Sequence, residues 1–165
     1  MSMQAGPIVS GVDVERRNAP VTRVVRRSYN GSEKQERQTI ELDLHSFGHP
    51  DFVAGDVVSI RNGLVIPLDP GAIIPFAGII LGVVQNGAGA YCADLIVRGA
   101  LDDVTVEGGY HVGSRVYARR EGERVVFTTS SKDAALVGEL LYRREGGRCI
   151  VGFRRADDTR SFRCL

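Results

Sequence analysis

The chain has no tryptophan, and only three histidines and three cysteines in 165 residues. The thiols, Cys92, Cys149 and Cys164, form no C-x-x-C pair and are odd in number, so neither a disulfide framework nor a cysteine metal site is indicated. Cys92 and Cys149 fall inside β-branched runs and read as buried reduced thiols, the usage of a chain made in a reducing cytoplasm. His45 and His49 stand four apart, but Gly48 and Pro50 break a helix there and no third ligand is marked out, so no metal is expected. No apolar run approaches the roughly 18 residues of a membrane span, and the opening MSMQAGPIVSG lacks a charged start before an apolar block. Neither a membrane anchor nor a signal peptide is therefore expected. A formal net charge of +1 lacks the basic excess of a nucleic-acid binder.

What the chain does have is glycine and β-branched residues. Between Asp56 and Phe153 the runs VVSI, GLVIP, GIILGVVQ, YCADLIVRG, DVTV, SRVYA, RVVFTT, LVGELLY and CIVGF are broken by turn residues. That spacing predicts an all-β fold, a compact antiparallel β-barrel or sandwich of about nine short strands. A 43% hydrophobic content suffices for a single core without disulfides or metals. Asn62-Gly63 predicts a hairpin, and Asp69-Pro70-Gly71 a turn with proline at its second position. Residues 130–135 are the one place where a helical turn is expected, capped by Ser130 or Ser131 with Asp133 near its positive end.

The pattern divides the chain into an extended N-terminal arm (residues 1–50), a barrel-like domain (51–153) and a polar C-terminal tail (154–165). Apolar residues are too sparse in the arm to bury much surface, so it is expected to order only against something else. Residues 21–29 and 38–44 alternate like strands around Asn30-Gly31, which predicts a hairpin or a strand-donating arm, with an arm lacking fixed structure as the alternative.

Groups for chemistry are not clustered. A Cys92–His111 nucleophile pair has no third orienting group. Asp102 and Asp103 are adjacent, so on a strand they face opposite ways; they are expected to solvate a turn after Arg98-Gly99. No glycine run opens a helix with a following Lys-Ser/Thr, which excludes a phosphate loop. The pairs Arg16-Arg17, Arg26-Arg27, Arg119-Arg120, Arg143-Arg144 and Arg154-Arg155 would put one guanidinium on each face of a strand. They serve either edge protection and solubility or docking on an acidic protein surface.

Several steps occur in a recognisable order: Gly55-Asp56-Val57-Val58, then Ile73-Ile74-Pro75-Phe76-Ala77-Gly78-Ile79, then Ala93-Asp94-Leu95-Ile96-Val97-Arg98-Gly99-Ala100. Gly113-Ser114-Arg115-Val116-Tyr117, the hairpin strand RVVFTT and Leu136-Val137-Gly138-Glu139-Leu140-Leu141 follow. In this ordered set the chain resembles the capsid-decoration (cement) proteins of tailed bacteriophages. The resemblance implies a β-barrel-like module on the outer surface of an icosahedral head, a homotrimer that binds the major capsid protein and reinforces capsomer junctions, with no catalysis and no cofactor. The long N-terminal segment and arginine-rich C-terminal tail depart from that pattern. On this reading Arg23, Arg26, Arg27 and Tyr29 of the arm are expected to contact the shell. A head-fibre or host- or glycan-binding virion module is the alternative, although no tryptophan and five tyrosines offer little for sugar stacking. A Cys/His hydrolase is the reading from a different class.

Overall fold

A computed structural model describes residues 35–48 and 51–162. Nine strands form one sheet: β1 (Glu36–Glu41), β2 (Val57–Arg61), β3 (Leu64–Pro67), β4 (Ile74–Gln85), β5 (Tyr91–Glu107), β6 (Arg115–Glu121), β7 (Arg124–Thr128), β8 (Ala135–Arg143) and β9 (Arg148–Arg154). A single turn of helix, α1 (Leu44–Phe47), follows β1, and a 3₁₀ turn (Glu145–Gly147) joins β8 to β9.

The spine is β5, 17 residues long. Its first half runs between β1 and β4, with Ala93 opposite Ile40 on one side and Val83 on the other. Its second half pairs with β9, Leu101 opposite Val151, and ends in a short parallel contact between Val106 and Phe127 of β7. From β7 the order β7-β6-β8-β9 returns to β5 and closes the barrel. On the other side β4, β2 and β3 follow in turn, and Leu42, just past β1, bridges to Val65 of β3.

Two cores result. One holds Phe76, Leu101, Val104, Val116, Phe127, Leu140, Val151 and Phe153 inside the closed ring. The other holds Leu42, Val58, Ile60, Val65, Ile80 and Leu95, with Ile40 and Phe52 packed against it. Val57 belongs to the first core and Val58 to the second, as do Phe76 and Ala77, so β2 and β4 are covered on both faces. That is why VVSI and PFAGII read as continuous apolar runs and not as alternating ones.

Turn chemistry is realised at Asn62 (φ 54°) and Gly63 (φ 77°), a two-residue loop between Arg61 and Leu64. Elsewhere the structure differs from expectation. YCADLIVRG and DVTV are one strand, because Gly99 packs beneath the Phe153 ring instead of turning the chain. The break falls later, as a bulge between Leu101 and Val104 with Asp103 at φ 59°. Asp102 and Asp103 therefore solvate no turn. Asp102 accepts from Nε and Nη2 of Arg144 at 3.0 and 3.2 Å, and Asp103 pairs with Arg148. Residues 130–135 form no helix; Asp133 takes a positive φ of 51° in the turn that enters β8. Residues 36–41, assigned to the arm, are a strand of the sheet, ordered against β5 of the same chain. Arg23, Arg26, Arg27, Tyr29 and Cys164 lie outside the described residues.

Candidate partner-binding surface

The residues named for catalysis are not brought together. Cys92 is the second residue of β5 and is buried; Nδ2 of Asn86 lies 3.8 Å from its sulfur. His111 lies beyond the opposite end of that strand, in an exposed turn where its Nδ1 is 3.0 Å from Ser114 Oγ. The same hydroxyl accepts the His111 main-chain N–H at 2.9 Å, so the pair closes a tight turn. Cys149 is wholly buried in the first core, and burial pushes its thiol pKa up, away from the reactive thiolate. Among the described residues no group of three His, Cys, Asp or Glu side chains is placed to hold a metal ion.

The arginine pairs split across faces as strand geometry requires, and most of the described guanidinium groups find partners within the chain. Arg119 reaches Glu121 at 2.6 Å while Arg120 donates to the Leu68 carbonyl at 3.3 Å. Arg143 sits 5.4 Å from the centre of the Tyr110 ring while Arg144 holds Asp102. Mutual engagement of this kind leaves less charge for an acidic partner than the sequence suggested.

Residues 155–162 are not a loose tail. Arg98 of β5, only 4% exposed, donates to the carbonyls of Ser161 (2.6 Å) and Arg160 (3.3 Å) and to Asp158 (3.1 Å). Phe162 is buried between two cations, 4.8 Å from the Arg98 guanidinium and 4.5 Å from that of Arg154. Arg160 continues to Glu36 at 2.7 and 2.9 Å, and Arg155 to Gln38 at 2.7 Å. Residues 155–162 thus form a strap from the sheet's spine to β1. Arginine at Asp158 holds that carboxyl well below the usual carboxylate range, Arg160 contributing most and Arg98 less; Glu36 is lowered by Arg160 in the same way.

What stands out on the surface is a knob beside a cleft. Ser59, fully buried on β2, accepts the Asp69 N–H at 2.7 Å and donates to the Pro75 carbonyl at 2.7 Å. Asp69 Oδ1 accepts the Gly71 N–H at 2.9 Å, and its carbonyl accepts the Ala72 N–H at 3.0 Å. One hydroxyl therefore ties the loop after β3, at Asp69, to the start of β4, at Pro75. At the end of that loop, directly before β4, Ile73 is 84% exposed. Alongside lies a cleft of about 730 Å³ between Phe47, Arg61, Pro67, Pro70 and Arg120. Arg61 crosses it 5.9 Å from the Phe47 ring centre, and its guanidinium is 3.7 Å from Asp43. Reading the sequence alone missed Arg98, Ser59 and Ile73. A lone arginine inside the apolar run YCADLIVRGA was the available signal for the first.

No protein-family model, no curated protein and no solved structure matches this chain.

Proposed function

We propose that the chain is a structural virion protein that binds the outer surface of an icosahedral phage head and stabilises capsomer junctions, acting as a homotrimer on the major capsid protein. The observation that carries this reading is Ile73: an apolar side chain 84% exposed, directly before β4, at the end of a loop that the buried Ser59 hydroxyl ties to that strand and whose Asp69, Pro70 and Gly71 line an open cleft. A rigid apolar projection loses little conformational entropy on docking, so more of its burial appears as affinity. Stable protein contacts usually need on the order of 1,200–2,000 Å² in total, and repeated copies on a symmetric lattice let a modest individual contact suffice. Support also comes from the ordered motifs that resemble the cement proteins, and from Cys92 and His111 lying at opposite ends of β5, so that the two do not form a nucleophile pair. No helix of the described residues is long and apolar enough to cross a membrane.

The test is binding of purified chain to heads assembled without it. Full-length protein is expected to co-sediment with the heads, and Ile73→Asp to lose most of that binding while keeping its thermal unfolding midpoint. Equal binding by Ile73→Asp removes the knob from the interface, and no binding by the natural chain rejects the proposal.

A further inference from the structure

The side chains of β1 add little to either core: only Glu36 and Ile40 are partly buried, and the others are exposed. Among the described residues, its first half is held by main-chain pairing with β5 and by the strap. Arg98 of the spine stands opposite Glu36 of β1 across one edge and opposite Arg154 of β9 across the other. The strap leaves β9 just after Arg154 and crosses the spine there. Its main chain is fixed to the barrel: the Arg155 N–H donates to the Val97 carbonyl at 2.8 Å and the Ala156 N–H to the Phe76 carbonyl at 2.9 Å. The Arg160 carbonyl accepts from Arg98 at 3.3 Å and from Arg154 at 2.7 Å. Its side chains grip β1 instead. Arg160 takes both carboxylate oxygens of Glu36, and Arg155 takes the side-chain oxygen of Gln38.

The other end of β1 is held differently. Ile40 packs against the second core, and Leu42, 2% exposed, donates its N–H to the Tyr91 carbonyl at 2.9 Å. The strand is thus anchored in a core at one end and by the strap at the other. Segments with few buried apolar contacts of their own, tied chiefly to each other, open together at a free energy below that of the whole fold. We infer that the strap is a latch for the start of β1: residues 155–162 and 36–39 open and close as one unit, hinged at Ile40–Leu42, while the closed ring stays folded. Opening uncovers the edge of β5 from Asp94 to Arg98, which residues 36–39 otherwise pair. A closed latch keeps those main-chain groups from pairing with other chains. The inference goes beyond the proposed function and does not depend on which surface the barrel docks on.

Native-state hydrogen exchange of the full-length chain tests it. The readouts are the protected amides of residues 37–39 and the strap amides of Arg155, Ala156 and Asp158, each of which donates to a main-chain carbonyl. Phe162→Ala, which empties the strap's seat over Gly152, is expected to speed both sets by a common factor of more than about tenfold. Val116→Ala, which removes bulk inside the ring, is expected to lower the urea midpoint yet leave both sets unchanged, because the latch opens with Val116 still buried. Residues 37–39 unmoved by Phe162→Ala overturn the inference. So does equal acceleration by Val116→Ala, which would mean that β1 opens only with the whole barrel. If Phe162→Ala does not fold, Arg155→Ala combined with Arg160→Ala cuts the grip on Glu36 and Gln38 from the surface. Residues 37–39 are then expected to exchange about threefold faster, and unchanged exchange overturns the inference.

Discussion

Phe162 lies over Gly152: a Cβ built on that glycine would stand 2.9 Å from the Phe162 ring. The missing side chain on β9 is the hollow that receives the strap, and Arg98 and Arg154 close on the ring from either side. Residues 155–162 are thereby fastened to the middle of the sheet, and through Arg160 and Arg155 to β1.

Removing the ring should release the strap. Phe162→Ala is expected to cost about 3 kcal/mol in urea unfolding, from lost burial and the cavity left behind. Gly152→Ala, which pushes the ring out, should cost about 1–3 kcal/mol. Both variants should be cut faster by trypsin at Arg155 and Arg160 than the natural chain. Unchanged cleavage would show that the strap is held by the Arg98 hydrogen bonds alone.

The strap should survive mild acid. Asp158 and Glu36 have folded-state pKa values below their unfolded ones, so their contribution is full above about pH 4, where an unfolded carboxylate is ionised. It is lost only as pH falls through the lower folded values. Stability attributable to the strap, measured as the difference between the natural chain and Asp158→Asn, is expected to stay constant from pH 7 to about pH 4 and to shrink below that. A difference that already shrinks between pH 7 and 5 would place the effect on another group.

Two glycines of the sheet should behave in opposite ways. A Cβ on Gly138 of β8 would collide with the carbonyl oxygen of Gly152 on β9, a main-chain atom that cannot step aside without breaking the ladder. Gly138→Ala is expected to leave little soluble folded protein. At Gly82 of β4 a Cβ meets nothing within 4 Å, so Gly82→Ala should be neutral or slightly stabilising, within about 0.5 kcal/mol. Circular dichroism melts of the pair decide the matter.

These contrasts show what was legible in the sequence. Asn62-Gly63 and Asp69-Pro70-Gly71 encode their turns within four residues, and both form as read. The all-β class follows from β-branched runs with regular punctuation, and the structure is a closed all-β sheet. Whatever depends on distant partners was not legible. Gly99 looks like a break until Phe153, fifty-four positions on, is seen to cover it. Asp102 and Asp103 look like solvated turn residues until Arg144 and Arg148 arrive to fix the bulge. The strap looks like a tail because Arg98 anchors it across a sequence separation of 60 to 63 residues.

The extent of the arm is testable by truncation. Residues 36–41 pair with β5, and Leu42 (2% exposed) and Asp43 (7% exposed) are buried beyond them, so residues 36–43 belong to the folded unit. A chain starting at residue 35 is expected to unfold cooperatively with a midpoint close to the full-length value. One starting at residue 46 loses a strand and part of the second core, and should melt well below it. Similar melting of both truncations would show that β1 contributes nothing to the barrel.

Whether this barrel is mortar for a shell is read directly by electron cryo-microscopy of heads assembled with and without it. Added density is expected outside the shell at capsomer junctions, into which the barrel fits with Ile73 toward the capsid, together with greater heat resistance of the decorated heads. Heads of identical density and heat resistance, with the chain left in the supernatant, would contradict it.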